Sequence, residues 1–175
     1  MKKRWICLYV ENDIGVLARI SGLFSSKLYN LNSLTVGTTE DETISRMTIS
    51  LTSDDRTFEQ VKKQLNRIIE VIKVVDYTGI PVHMKELLFV KINNCSEEDK
   101  LEAFRIASIF EIKITDYDKS TILFECVQTE TKNDDLIKLL QKSFCNRIEV
   151  VRGGSVAIEA ISKTQRLKQW HKILS

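Results

Sequence analysis

Proline occurs once in these 175 residues, at Pro81, and histidine twice, at His83 and His171. The single proline marks one break in the chain, in the "GIP" of residues 79–81. The two histidines have no companion at metal-ligand spacing, so no metal ligand is expected. No serine sits in a GxSxG turn, and neither GxGxxG nor GxxxxGK[ST] occurs. "RGGS" at 152–155 has glycines outside those frames and reads as a flexible turn. The carboxylates are scattered over polar faces, with no pair set out for acid–base work. No catalytic residue is assigned, and an enzyme is the weaker reading.

No segment approaches the ~20 apolar residues of a membrane span. The apolar stretch within "MKKRWICLYVEND" is short for a signal peptide and is broken by Glu11, Asn12 and Asp13. A net charge of +2 gives no general pull toward nucleic acid or anionic lipid, although the last dozen residues are locally basic. Cys7, Cys95, Cys126 and Cys145 lack CxxC spacing, and three of them lie in apolar-periodic segments. Reduced, buried thiols and a cytoplasmic chain are expected.

What is present is a repeated order of elements. "RWICLYVE" (4–11) reads as a strand. Val16, Leu17, Ile20, Leu23 and Phe24 form one helical stripe that starts after Gly15 and runs to about Leu28. Segments 30–39 and 43–52 are rich in β-branched residues around a polar turn at 40–42, which predicts a hairpin. In the second of these, Met47, Ile49 and Leu51 alternate with Thr48 and Ser50, which predicts one wet face. Asp54 or Asp55 caps a second helix whose apolar side is Phe58, Val61, Leu65, Ile68 and Ile69. A strand at 71–78 closes the set.

After the break the order recurs. A strand spans 86–93, and a helix follows over 96–110 with a capping box from Ser96 to Asp99. A hairpin, a helix from about 132 to 144 and a strand at 147–152 complete it. The fold class is α+β, with two ferredoxin-like βαββαβ sandwiches in tandem. The expected domains are 1–78 and 85–158, joined by a linker at 79–84 and followed by a basic tail at 159–175.

The loop "ENDIGV" is where a ligand is expected. A helix start exposes amide donors and a partial positive charge, here at Gly15, Val16 and Leu17, and so accepts an anion without a basic side chain. Gly15 permits close approach and positive φ. Asn12 both donates and accepts, while Ile14 and Leu17 offer apolar contact, an inventory that suits a small hydrophobic amino acid. The same residues also read as a plain strand-to-helix turn capped by Asp13.

"ENDIGVLARISGLFSSKLYNLNSLTVGTTED", followed by "ISRMTI", "VIKV", "KELLFVKI" and "EVVRGGSVA", resembles the small, regulatory subunits of acetolactate synthase (acetohydroxyacid synthase) across nearly the whole chain. The resemblance implies an N-terminal ACT domain, an amino-acid sensor, and a second ferredoxin-like domain. It implies a non-catalytic partner that activates a catalytic large subunit and confers feedback inhibition by valine, in some members by leucine or isoleucine. Thiamine diphosphate, Mg and FAD would belong to that large subunit, with none held by this chain. It also implies a homodimer through the ACT domains, the effector lying between the first loop of one protomer and Asn30 of the other. Asn12, Ile14, Gly15, Val16, Leu17, Asn30 and Leu31 are the expected effector residues.

Leu28 stands where such subunits usually have glycine, and Gly153, Glu159 and Ala160 also depart from their pattern. Arg46 in "SRMTI" is expected in a structural ion pair or against the catalytic partner. The alternatives are a free-standing amino-acid sensor acting on another target, such as a transcription regulator, and an assembly scaffold without a ligand.

Overall fold

The computed structural model describes residues 1–161, which form two compact units. One comprises Met1–His83 with residues 156–161; the other is Met84–Ser155. Chain order is β1 (Lys2–Glu11), α1 (Val16–Ser26), β2 (Leu31–Thr38), β3 (Ile44–Ser53), α2 (Asp55–Leu65) and β4 (Val71–Asp76). It continues with β5 (Val82–Ile92), α3 (Glu97–Phe110), β6 (Lys113–Tyr117), β7 (Ile122–Gln128), α4 (Glu130–Ser143) and β8 (Ile148–Glu159). The sheets run β2-β3-β1-β4 and β6-β7-β5-β8, the ferredoxin-like order in tandem. No helix among the described residues is long and apolar enough to cross a membrane.

Alternation builds the first core. Ile6, Leu8 and Val10 on β1 share a face with Met47, Ile49 and Leu51 on β3, in an antiparallel register that sets Leu8 opposite Met47. Val16, Ile20 and Phe24 of α1 cover that face together with Phe58, Val61 and Leu65 of α2. Asp54 caps α2, its carboxylate accepting the Thr57 N–H at 2.7 Å. The helix ends at Leu65, so Ile69, expected on its apolar side, lies beyond it and is exposed.

The opposite face of this sheet is not wet at Thr48 and Ser50, contrary to the alternation reading: both are buried. Ser50 shares a hydrogen bond of 2.7 Å with Ser33, and Val156 and Ala157, from the returning end of the chain, lie beside Thr48. A period of two assigns side chains to faces, but it cannot say what a distant segment covers.

In the second unit, Leu88, Val90, Ile92, Ile122 and Phe124 meet Ala103, Ile106, Leu136 and Leu140. Strand continues past the expected boundaries. β5 begins at Val82, inside the segment read as a linker, and β8 runs through Glu159. "RGGS" is therefore strand and not a flexible turn, with Gly154 at φ +75° supplying a conformation that a Cβ would strain. Beyond residue 161, the basic tail lies outside the described residues.

Candidate functional site

The turn between β1 and α1 is fixed from outside the helix. Asn12 N–H donates to the Thr43 carbonyl at 2.7 Å. The Asn12 amide nitrogen donates to the Glu42 carbonyl at 2.8 Å, and its oxygen accepts from the Ser45 hydroxyl at 2.9 Å. Asn12 thus ties the loop to the β2–β3 hairpin and β3, keeping one further donor and one further acceptor site. Behind the loop, the Glu70 carbonyl accepts from Glu11 N–H at 2.9 Å, and its carboxylate pairs with Arg19 on α1.

Gly15 is the N-cap of α1, at φ +89° and ψ −11°, where an L side chain would be strained although the space a Cβ would enter is open for 4 Å around. No side chain caps this helix, and its first turn has no acidic residue. Asp13 does not cap it; its carbonyl only receives the Val16 N–H at 3.4 Å. Among the four described helices, α1 is the one with neither a side-chain cap nor a first-turn carboxylate. Its positive end is uncompensated by its own first turn.

Around this end Ile14 is fully exposed and Leu17 is 42% exposed, two aliphatic side chains in water beside a helix start that no side chain caps. Val16 differs: its side chain is in the core, so only its backbone belongs to the loop surface. Asn30 and Leu31 lie past the other end of α1, an 11-residue helix about 16 Å long. Within one chain the fold therefore does not bring Asn30 and Leu31 to Asn12–Leu17. Leu28, next to them, adopts φ +55° with its side chain 92% exposed, so it does not crowd its own helix.

Arg46 forms a second constellation, on the sheet face away from the helices. Among the described residues no carboxylate pairs with it, and the ion-pair reading fails. Its Nε donates to the Cys7 sulfur at 3.1 Å, and a terminal nitrogen donates to the Tyr77 hydroxyl at 2.8 Å and to the Ala157 carbonyl. The guanidinium carbon lies 5.5 Å and 5.9 Å from the ring centres of Tyr9 and Tyr77, within cation–π range. Its aromatic and carbonyl partners come from β1, the residue just past β4 and the segment after residue 155, none of which "SRMTI" itself reveals.

A model of the small-subunit-like ACT domain of acetohydroxyacid synthase matches residues 6–73, and one described as the small subunit of acetolactate synthase matches 85–161. The acetolactate synthase small subunit of Aquifex aeolicus is 40% identical over 158 residues, covering 90% of this chain and 81% of that protein. A probable acetolactate synthase small subunit of Archaeoglobus fulgidus is 39% identical, covering 89% and 96%. The crystal structure of the acetolactate synthase small subunit from Thermotoga maritima superposes with a TM-score of 0.81 at 29% identity, covering 91% of this chain and 98% of that one. Two matched models that tile the described chain, and relatives this similar along nearly all of it, make the chain a member of the acetolactate synthase small-subunit family.

Proposed function

We propose that this protein is the regulatory subunit of an acetolactate synthase, activating a thiamine-diphosphate-dependent catalytic subunit and conferring inhibition by valine. The observation that carries the effector site is the open N-terminus of α1: Gly15 at positive φ, no cap, no acidic residue, and exposed Ile14 and Leu17. Valine's carboxylate accepts from the amides at Gly15–Leu17, and its isopropyl group lies against Ile14 and Leu17. The Asn12 oxygen, with one acceptor site left, faces the ammonium group.

The site is half-built in one chain. β2 is an edge strand of its sheet, and pairing it with β2 of a second copy makes one continuous sheet and removes that edge. The partner's Asn30 and Leu31, at the start of its β2, then close the site that Asn12–Leu17 opens. Effector binding biases the geometry of the pair, and the catalytic subunit reads that bias as a coupling of about 1–3 kcal/mol.

The test is activity of the cognate catalytic subunit with and without this protein, titrated with valine. Gly15→Asp places a carboxylate where valine's must sit, so activation persists while inhibition is lost. Asn30→His weakens inhibition from the opposite protomer. Normal valine inhibition with both variants would remove the site, and absence of any activation by the wild-type chain would remove the function.

A further inference from the structure

In the second unit, a cavity of about 300 Å³ lies between the end of α3 and the start of α4. Ile109, Phe110 and Leu136 give it an apolar wall, and Glu111, Lys132 and Asp135 give it charge. Its volume is at the small end of ligand sites, suited to a metabolite of amino-acid size and not to a nucleotide.

The charges come from both helices, Glu111 at the end of α3 and Lys132 and Asp135 from α4. At the α3 end, no basic residue occupies the last turn, and the N–H groups of Glu111 and Ile112 both converge on the Ala107 carbonyl. The carbonyls of the final turn therefore form a negative helix end next to Glu111, which lines the cavity and has a left-handed backbone (φ +53°). At the α4 end the helix start has no side-chain cap, and Lys132 stands in its first turn. Glu130, in the same turn, is turned toward Arg152 at 3.9 Å. Asp135 shares its charge with Lys138, 3.6 Å away, so Glu111 and the α3 terminus are the main cation partners.

We infer that this cavity binds a small zwitterion with an apolar side chain, an amino acid distinct in place from any ligand of the α1 loop. Its ammonium group sits at the end of α3 with Glu111, its carboxylate at the start of α4 with Lys132, and its side chain against Ile109, Phe110 and Leu136. Neither charge alone would specify such a ligand; Glu111 at the end of α3 and Lys132 in the first turn of α4, lining one small, partly apolar space, do.

Leucine is the probe, used on the full chain carrying Gly15→Asp so that the α1 loop is silent. Calorimetry then gives one remaining site, and the methyl resonances of Ile109 and Leu136 shift on titration. Ile109→Trp, a change at an exposed rim position, and Lys132→Glu, at an exposed site, each weaken binding about tenfold or more. Isopentylamine and 4-methylpentanoate, which lack one charged group each, bind at least about tenfold more weakly than leucine. The proposal is overturned if those methyls do not move at millimolar leucine, if Ile109→Trp and Lys132→Glu both leave affinity unchanged, or if the amine binds as tightly as leucine.

Discussion

α1 and α3 hold the same place in their units, each following the first strand, yet their starts are finished differently. Ser96 caps α3 and accepts the Asp99 N–H at 3.1 Å, while Asp99 reaches back to the Ser96 N–H at 2.8 Å. Arg147 grips the same carboxylate at 2.8 and 3.0 Å, and Glu97 and Glu98 add negative charge to the turn. The chain thus supplies its own anion to α3. α1 has Gly15, no side-chain cap and no first-turn acid, so the chain supplies no such anion to it. One fold position is closed once by the chain's own acid and left open once, and the residue three after the cap, Asp99 against Ala18, marks the difference.

The arginines divide the units in a similar way. Arg152 is held by the buried Glu86 through two hydrogen bonds of 2.9 and 2.7 Å, and by Asp134 at 2.7 Å. Glu86 is only 3% exposed and also accepts from Asn133 at 2.9 Å. Arg46, in the first unit, relies on a thiol, a phenol and a carbonyl. Arg152→Ala has the largest expected effect: it strands a buried carboxylate and lowers unfolding free energy by about 3 kcal/mol. That is the low end for a broken buried pair, because Arg152 itself is about one-third exposed. Urea unfolding of the full chain measures it, and a loss below about 1 kcal/mol would mean that water replaces the arginine freely.

Asp99→Ala comes next, at about 1–2 kcal/mol, the scale of a lost cap with its charge-assisted bonds. The Arg147 guanidinium, with help from the Ser96 N–H, holds the Asp99 carboxyl far below the usual carboxylate range. Because the folded-state value is depressed, the stabilisation is complete above the unfolded value of about 4. It is lost as pH falls from there through the lowered native value. The stability difference between wild type and Asp99→Ala should therefore be flat at neutral pH and shrink below about pH 4. A difference that grows on acidification would contradict the pairing.

The smallest effect is the most direct test of the contrast. Ala18→Asp copies the α3 arrangement onto α1, placing a carboxylate three residues after the cap. Stability should rise by about 0.3–1 kcal/mol through the helix dipole. Half-inhibition of the reconstituted enzyme should then need about tenfold more valine, a change of about 1.4 kcal/mol. An unchanged valine response would show that the amides of α1 are not the anion receptor.

Local signals are enough for much of this. Apolar spacing places all four helices, Asp54 and the Ser96–Asp99 box are readable from residue types, and Gly15 lies at the turn where its permissiveness is used. What stays hidden depends on residues far apart in sequence. Thr48 and Ser50 look wet because polarity suggests exposure, and the neighbours of Thr48 come from beyond residue 155. Arg46 looks like half of an ion pair because its three acceptors lie at positions 7, 77 and 157. Asn12 reads as facing a ligand, whereas the fold also uses it as a clasp to Glu42 and Ser45. Asn30 and Leu31 are separated from the loop by the length of α1, a distance that a one-dimensional reading does not display.

The return of the chain to its first unit has a practical outcome for anyone dividing the molecule. A fragment stopped at the break near Pro81 would retain every strand of the first sheet and both helices that cover it. It would nonetheless lose the carbonyl of Ala157 that receives Arg46, and the pocket wall that Val156 and Ala157 share with Thr48. During synthesis Arg46 gains that carbonyl only after the second half has been made, although the core of the first unit is complete within residues 6–74.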